Sequence, residues 1–176
     1  MNTLVLPVSP RDHIRGLITA PISLVQYGDY QCPHCAKVHS IIQVLQQQLS
    51  GQLRYIYRHF PCHVLHPDAQ HAAEAAEAAG NQGKFWEMHD CLYVNHHALS
   101  NGHLVEYAIA LNLDINQFLQ EVTGDWYVKH IEEDLESGRA SGVTMTPAFF
   151  INGYRYEGGL DQESFLEALA KVAQEQ

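Results

Sequence analysis

Two cysteines separated by Pro33 and His34 form the segment Cys32-Pro33-His34-Cys35, a spacing at which a pair of thiols can exchange disulfides. An apolar strand pattern, Leu24-Val25-Gln26-Tyr27, lies just before it. After it, Val38, Ile41, Ile42, Leu45 and Leu49 recur at i, i+3, i+4, i+7 and i+11, which predicts a helix over residues 36–49 with one buried face. The cysteines would then stand at a helix N-terminus, where unpaired N–H groups and the helix dipole stabilise a thiolate. Thiols in such motifs have pKa values of roughly 3.5–7.5, against about 8.5 for a free cysteine. Cys32, at the outer end, is the expected nucleophile, and Cys35, inside the first turn, the expected resolving thiol. His34 is placed to favour the Cys32 thiolate through a ring cation or N–H. Pro33 suits the first helical position because it has no N–H to leave unpaired.

Other chemistries for the pair are weaker. A closed zinc site needs four ligands, and Cys62 and Cys91 are isolated, although twelve histidines are available to complete a set. Covalent haem attachment requires His directly after the second Cys, where this chain has Ala36. No metal and no cofactor are therefore assigned. Cys62 and Cys91 read as inert thiols, and the other histidines, including His96-His97, as surface imidazoles. His39 follows Cys35 by about one turn, on a face the pattern does not fix.

Within its 176 residues the chain carries ten Lys plus Arg against twenty Asp plus Glu, a formal charge of -10 that would repel a nucleic-acid backbone. No apolar run approaches the roughly 20 residues of a membrane span. The N-terminal residues lack a basic leader, so the chain as written is expected in the cytoplasm, or in the periplasm or outside the cell if a leader has been removed. A reducing cytoplasm would keep the dithiol mostly reduced.

The elements that must position the dithiol follow in order. Residues 53–60 read as a second strand ended by Pro61. Residues 66–138 hold helical patterns and no strand, with Pro67 as a first helical residue, Gly80 as a stop, and Glu132-Glu133-Asp134 as the wet face of the last helix. Strand character returns at residues 148–151, followed by the hairpin pair Asn152-Gly153 and residues 154–156. A terminal helix carries Phe165, Leu166, Leu169 and Val172, with Asp161 as N-cap.

A β-α-β half bearing Cys-x-x-Cys, a helical insertion, and a hairpin-plus-helix half together resemble the DsbA-like disulfide oxidoreductases, in their single-domain bacterial branch. Cys32-Pro33-His34-Cys35 matches the tetrapeptide of that family's founding member. Residues 142–153, with Thr146-Pro147 and Asn152-Gly153, resemble its second signature, and residues 66–89 are similar to its insertion. The resemblance spans about residues 22–172. It implies an α/β thioredoxin fold across residues 1–176 as one domain, and a cis bond before Pro147 set against the dithiol. It further implies a substrate edge made by Thr146 and Pro147, with Pro33 beside it. Gln26 departs from the pattern, since many relatives carry Glu there to relay the proton of the resolving cysteine; His59 is a substitute candidate. Thr146 also departs, and its hydroxyl is placed to reach a sulfur. Tyr27 and Tyr30 are candidates to line the groove, and Trp86 and Trp126 for core or rim packing.

The leading expectation is a thiol-disulfide oxidoreductase acting on protein or small-molecule disulfides and dithiols, with an unidentified redox partner and its direction open. A redox-regulated peptide-binding module or chaperone is the alternative, and a zinc-binding structural domain a third.

Overall fold

The computed structural model describes residues 3–174. At its centre is a five-stranded sheet in the order β1-β3-β2-β4-β5, built from β1 (His13–Arg15), β2 (Ile22–Gly28), β3 (Leu53–His59), β4 (Ala148–Ile151) and β5 (Tyr154–Tyr156). The crossover helix α1 (Pro33–Gln48) joins β2 to β3, which pair in parallel with Val25 opposite Ile56. The β4–β5 hairpin is antiparallel, and β4 runs antiparallel to β2. Both turn residues of that hairpin adopt positive φ, 46° at Asn152 and 86° at Gly153, as its turn chemistry requires.

All of β2 is buried, as expected of a central strand covered on both faces. Ile22 and Leu24 face a large core shared with Val38, Ile42 and Leu45 of α1 and with Phe165 and Leu169 of α7 (Gln162–Gln174). On the opposite face Val25 and Tyr27 pack with Ile56, Phe60 and Phe150. Between β3 and β4 come α2 (Ala69–Asn81), α3 (Phe85–Val94), α4 (Asn101–Ala110), α5 (Ile115–Thr123) and α6 (Val128–Ala140). The thioredoxin fold with a helical insertion is thus the observed architecture. Asp161 caps α7, its carboxylate accepting from Ser164 N–H at 2.9 Å.

Several local expectations are corrected. The first helix begins at Pro33 rather than near residue 36, because Pro at the first position needs no N–H partner. Helix α2 starts at Ala69, not Pro67, and continues through Gly80 to Asn81, since the buried alanine face continues past the glycine. The short edge strand β1 has no sequence signal beyond its antiparallel pairing with β3. Asp134 is buried rather than wet: its carboxylate accepts from His59 N–H at 2.9 Å and from Arg11 at 3.1 Å. Trp126 is 58% exposed and lies outside the core.

Candidate active site

Cys32 is the residue before the first helical turn, with extended backbone, and no side chain caps the helix there. Its own N–H donates to the Asp29 carbonyl at 3.2 Å, which folds the preceding loop under the helix end. Asp29 fixes that loop through both carboxylate oxygens. One accepts from Gln31 N–H at 2.8 Å; the other takes Cys62 N–H and sits against His66 Nδ1, each at 2.8 Å. Gln31 and Asp68 then exchange two hydrogen bonds that tie the loop to the start of α2. The sequence reading missed Asp29, whose signal is an aspartate two residues before a loop amide, the Asx-turn pattern.

Both thiols are free and buried: Cys32 keeps 4% of its surface and Cys35 none. The Cys35 thiol bonded to the Cys32 sulfur is the largest influence lowering Cys32, to about 5. Burial opposes it, while N–H groups of Cys35 and His34 and the Thr146 side chain add to it. Cys35 moves the opposite way, pushed well above its ordinary range first by burial and then by the neighbouring Cys32 sulfur. The site therefore holds one thiolate and one thiol, the division of labour that exchange needs.

The loop after α6 closes over this pair. The peptide bond between Thr146 and Pro147 is cis, and the Thr146 carbonyl lies 3.5 Å from the Cys32 sulfur. The Thr146 side chain favours the ionised form of both sulfurs, as its hydroxyl suggested. Met145, the preceding residue, is 71% exposed, and Val64 and Leu65 just after Cys62 also lie bare to solvent. Pro33 and His34 are exposed at the helix start. His34 contributes to Cys32 through its backbone N–H, and its side chain is exposed at the helix start.

Beneath the dithiol the floor is aromatic. Tyr55, Tyr57 and Tyr93 are fully buried and pushed well above the ordinary tyrosine range, chiefly by that burial, so they present neutral dipoles to Cys35. The Tyr57 and Tyr93 hydroxyls are 2.9 Å apart, and both press on the Cα of Gly28, where any side chain would collide with them. Gln26 is buried in this floor, accepting from the Tyr55 hydroxyl at 2.8 Å, with its Nε2 unpartnered. His59 turns its Nε2 to Glu77 Oε1, 2.7 Å away, and its buried Nδ1 has no hydrogen-bond partner. Tyr27 and Tyr30 are core residues rather than groove residues. Tyr27 bonds Ser137 and Arg58, and Tyr30 meets His89 Nδ1 at 3.0 Å.

The histidines also depart from expectation. His39, His59 and His89 are buried, and two triads bring ligand atoms together: His13, His59 and Glu77, and His39, His89 and Asp90. Neither includes a cysteine of the dithiol. Cys62 and Cys91 are half-buried free thiols, and burial raises Cys91 above its ordinary value.

Comparison with known proteins places this geometry. The profile of the Thioredoxin family matches residues 8–171. A protein of Salinispora arenicola named Na(+)/H(+) antiporter NhaA 1 is 41% identical over 170 residues, covering 96% of this chain and 26% of its own length. The NhaA protein of Herminiimonas arsenicoxydans is 39% identical over 164 residues, again over 26% of its length. The chain thus spans about a quarter of the length of the curated relatives it matches. Among solved structures, oxidised BdbD from Bacillus subtilis superposes with a TM-score of 0.85 at 19% identity, covering 93% of this chain and 94% of that one. Wolbachia pipientis alpha-DsbA1 gives 0.83 at 22%, covering 98% and 95%.

Proposed function

Because the chain belongs to the thioredoxin family, we propose that it is a thiol-disulfide oxidoreductase working through Cys32 and Cys35 on protein or peptide substrates. The observation that carries this reading is the unequal pair: a Cys32 sulfur lowered to about 5 beside a Cys35 thiol held protonated. The Cys32 thiolate attacks one sulfur of a substrate disulfide, and the other leaves as a thiolate. Cys35 then loses its proton and attacks the Cys32 sulfur, releasing the second substrate thiolate and leaving a Cys32–Cys35 disulfide. Running backwards, the same steps place a disulfide into a substrate dithiol. With Gln26 amide and the tyrosines neutral, the proton of Cys35 leaves through the mouth of the site, by way of solvent.

Recognition is assigned to Thr146 and Pro147, with Pro33 beside the dithiol. Proline offers no N–H, so the polar groups of Thr146 form the edge to which an extended peptide can bond. The bare side chain of Met145, next to Thr146, favours a polypeptide over a small thiol, since apolar surface next to a peptide edge is covered by substrate side chains. His34 and Pro33 set the helix start that supplies N–H groups to the sulfur.

Stabilising the Cys32 thiolate favours the reduced state, which moves the couple toward the oxidising end of a range of about -270 to -120 mV. An oxidising couple suits a compartment where disulfides persist; a reducing one suits the cytoplasm. Ion antiport, named for the longer relatives, is not carried over: among the described residues no helix is long and apolar enough to cross a membrane.

The test is a pair of variants assayed with a disulfide-bonded peptide. Cys32→Ser abolishes exchange, and Cys35→Ser accumulates a mixed disulfide through Cys32, read by mass spectrometry. Turnover retained by Cys32→Ser, or an adduct formed through Cys62, would overturn the assignment.

A further inference from the structure

One turn beyond Cys35, α1 carries a second group of reactive side chains that the exchange chemistry does not use. His39 of α1 and His89 and Asp90 of α3 bring three ligand atoms within 4.8 Å of one another. On these residues His39 Nε2, His89 Nε2 and Asp90 Oδ1 are each buried without a hydrogen-bond partner. An unmet polar atom in the interior is destabilising, because it has given up its water without gaining a partner. Three of them on residues whose ligand atoms cluster this closely point to a missing occupant rather than three separate losses.

The surroundings have the form of a metal site's outer shell. Metal-bound histidines usually donate their second ring N–H to a neighbour, which fixes tautomer and orientation. His89 Nδ1 has such a neighbour in the Tyr30 hydroxyl at 3.0 Å, which holds the ring and leaves Nε2 as its unpartnered nitrogen. The other oxygen of Asp90, Oδ2, accepts from Arg15 Nη2 at 2.8 Å, which leaves Oδ1 buried and unpartnered. The His39 ring is locked by stacking on Tyr93, with centroids 5.0 Å apart. Bond lengths of about 2.0–2.1 Å put tetrahedral ligands roughly 3.3 Å apart. His39 Nε2 and Asp90 Oδ1 are 3.4 Å apart. Part of Asp90 reaches solvent, which gives an ion its way in.

The other triad differs in kind. There Glu77 Oε1 is already 2.7 Å from both His13 Nε2 and His59 Nε2, so the atoms that face one another are paired among themselves, and the unpartnered atom of the group, His59 Nδ1, is on the other side of its ring.

We infer that His39, His89 and Asp90 bind a divalent cation of the zinc class between α1 and α3, two imidazoles and one carboxylate serving as ligands and water filling the fourth position. The ion pins the dithiol helix to the helical insertion. This assignment is independent of the exchange reaction.

Zinc uptake by equilibrium dialysis with metal analysis tests it, using the intact chain and its Cys32→Ser/Cys35→Ser variant. Both bind one zinc ion per chain. Cobalt in the double variant gives the visible bands of a tetrahedral site without sulfur charge transfer. Tyr30→Phe weakens binding about 10–100-fold, the usual effect of losing an outer-shell partner, and His39→Gln and Asp90→Asn weaken it more. Circular dichroism checks that each variant is folded; Asp90→Asn, isosteric and part-exposed, is the least disruptive. Glu77→Gln leaves binding unchanged. No zinc in the double variant would put any bound ion at the dithiol and overturn the inference. So would undiminished binding by folded His39→Gln and Asp90→Asn, or loss of the ion in Glu77→Gln.

Discussion

The dithiol mouth and the polar seam behind β3 both hold ionised groups out of water, but they do so to opposite ends. At the mouth the Cys32 sulfur is stabilised by N–H groups and by the Cys35 thiol, with no charged side chain among the leading influences on it. A charge held by donors alone keeps its lone pairs available to attack. Along the seam every charge has a dedicated partner. Arg58 is fully buried and donates to both oxygens of Asp12 at 2.7 and 3.1 Å, to the carbonyls of Leu6 and Pro7, and to the Tyr27 hydroxyl. Burial alone would raise Glu77, yet its hydrogen bonds to His13 and His59 hold it far below the usual carboxylate range. The contrast shows how one fold keeps one buried charge reactive and the others structural: only the former lies at a helix end without an ion partner.

The sharpest way to break the comparison is to open the seam. Arg58→Met strands the Asp12 carboxylate, and breaking a buried pair in this way costs about 3–5 kcal/mol. Urea unfolding will read that loss, while the folded fraction keeps its Cys32 reactivity, because the mouth does not use Arg58. A comparable loss of thiolate character would show the two regions to be one network.

The second prediction removes the donor at the mouth. Cys35→Ala, unlike Cys35→Ser, leaves nothing to donate to the Cys32 sulfur. The Cys32 pKa should return toward the ordinary value near 8.5, as followed by thiolate absorbance, with stability changed less than in Arg58→Met.

The pH dependence follows from the same shift. The folded pKa of Cys32, about 5, lies below its unfolded value. Its contribution to the stability of the reduced chain is therefore complete above about pH 8.5 and is lost as pH falls through about 5. Denaturation of the reduced chain at a series of pH values should show this decline, and Cys32→Ser should lack it.

The smallest expected effect serves as the control. Asp161→Ala removes the cap of α7, far from both regions, and should cost about 1 kcal/mol with no change at Cys32.

Much of the mouth was legible in the sequence because its signals are local. A Cys-x-x-Cys between a strand and an amphipathic helix specifies a helix-end dithiol, and Thr146-Pro147 before a strand and an Asn152-Gly153 turn matched a known pattern. The backbone N–H that His34 turns to the sulfur was not legible, since periodicity does not say which amide faces a side chain. The seam was hidden for a different reason. Arg58 and Asp12, or His59 and Glu77, come from separate segments, and polar residues in such positions look like surface until the chain is folded. Asp134 within an acidic run and His89 within an apolar helix misled in the same way, because burial of a polar side chain is decided by a partner that periodicity does not reveal.

The rate of alkylation of Cys32 as a function of pH, read by mass spectrometry on the reduced chain, tests the central claim most directly. The account predicts a single rise with its midpoint near pH 5 and Cys35 unmodified throughout. A midpoint near 8.5, or equal labelling of both cysteines, would contradict it.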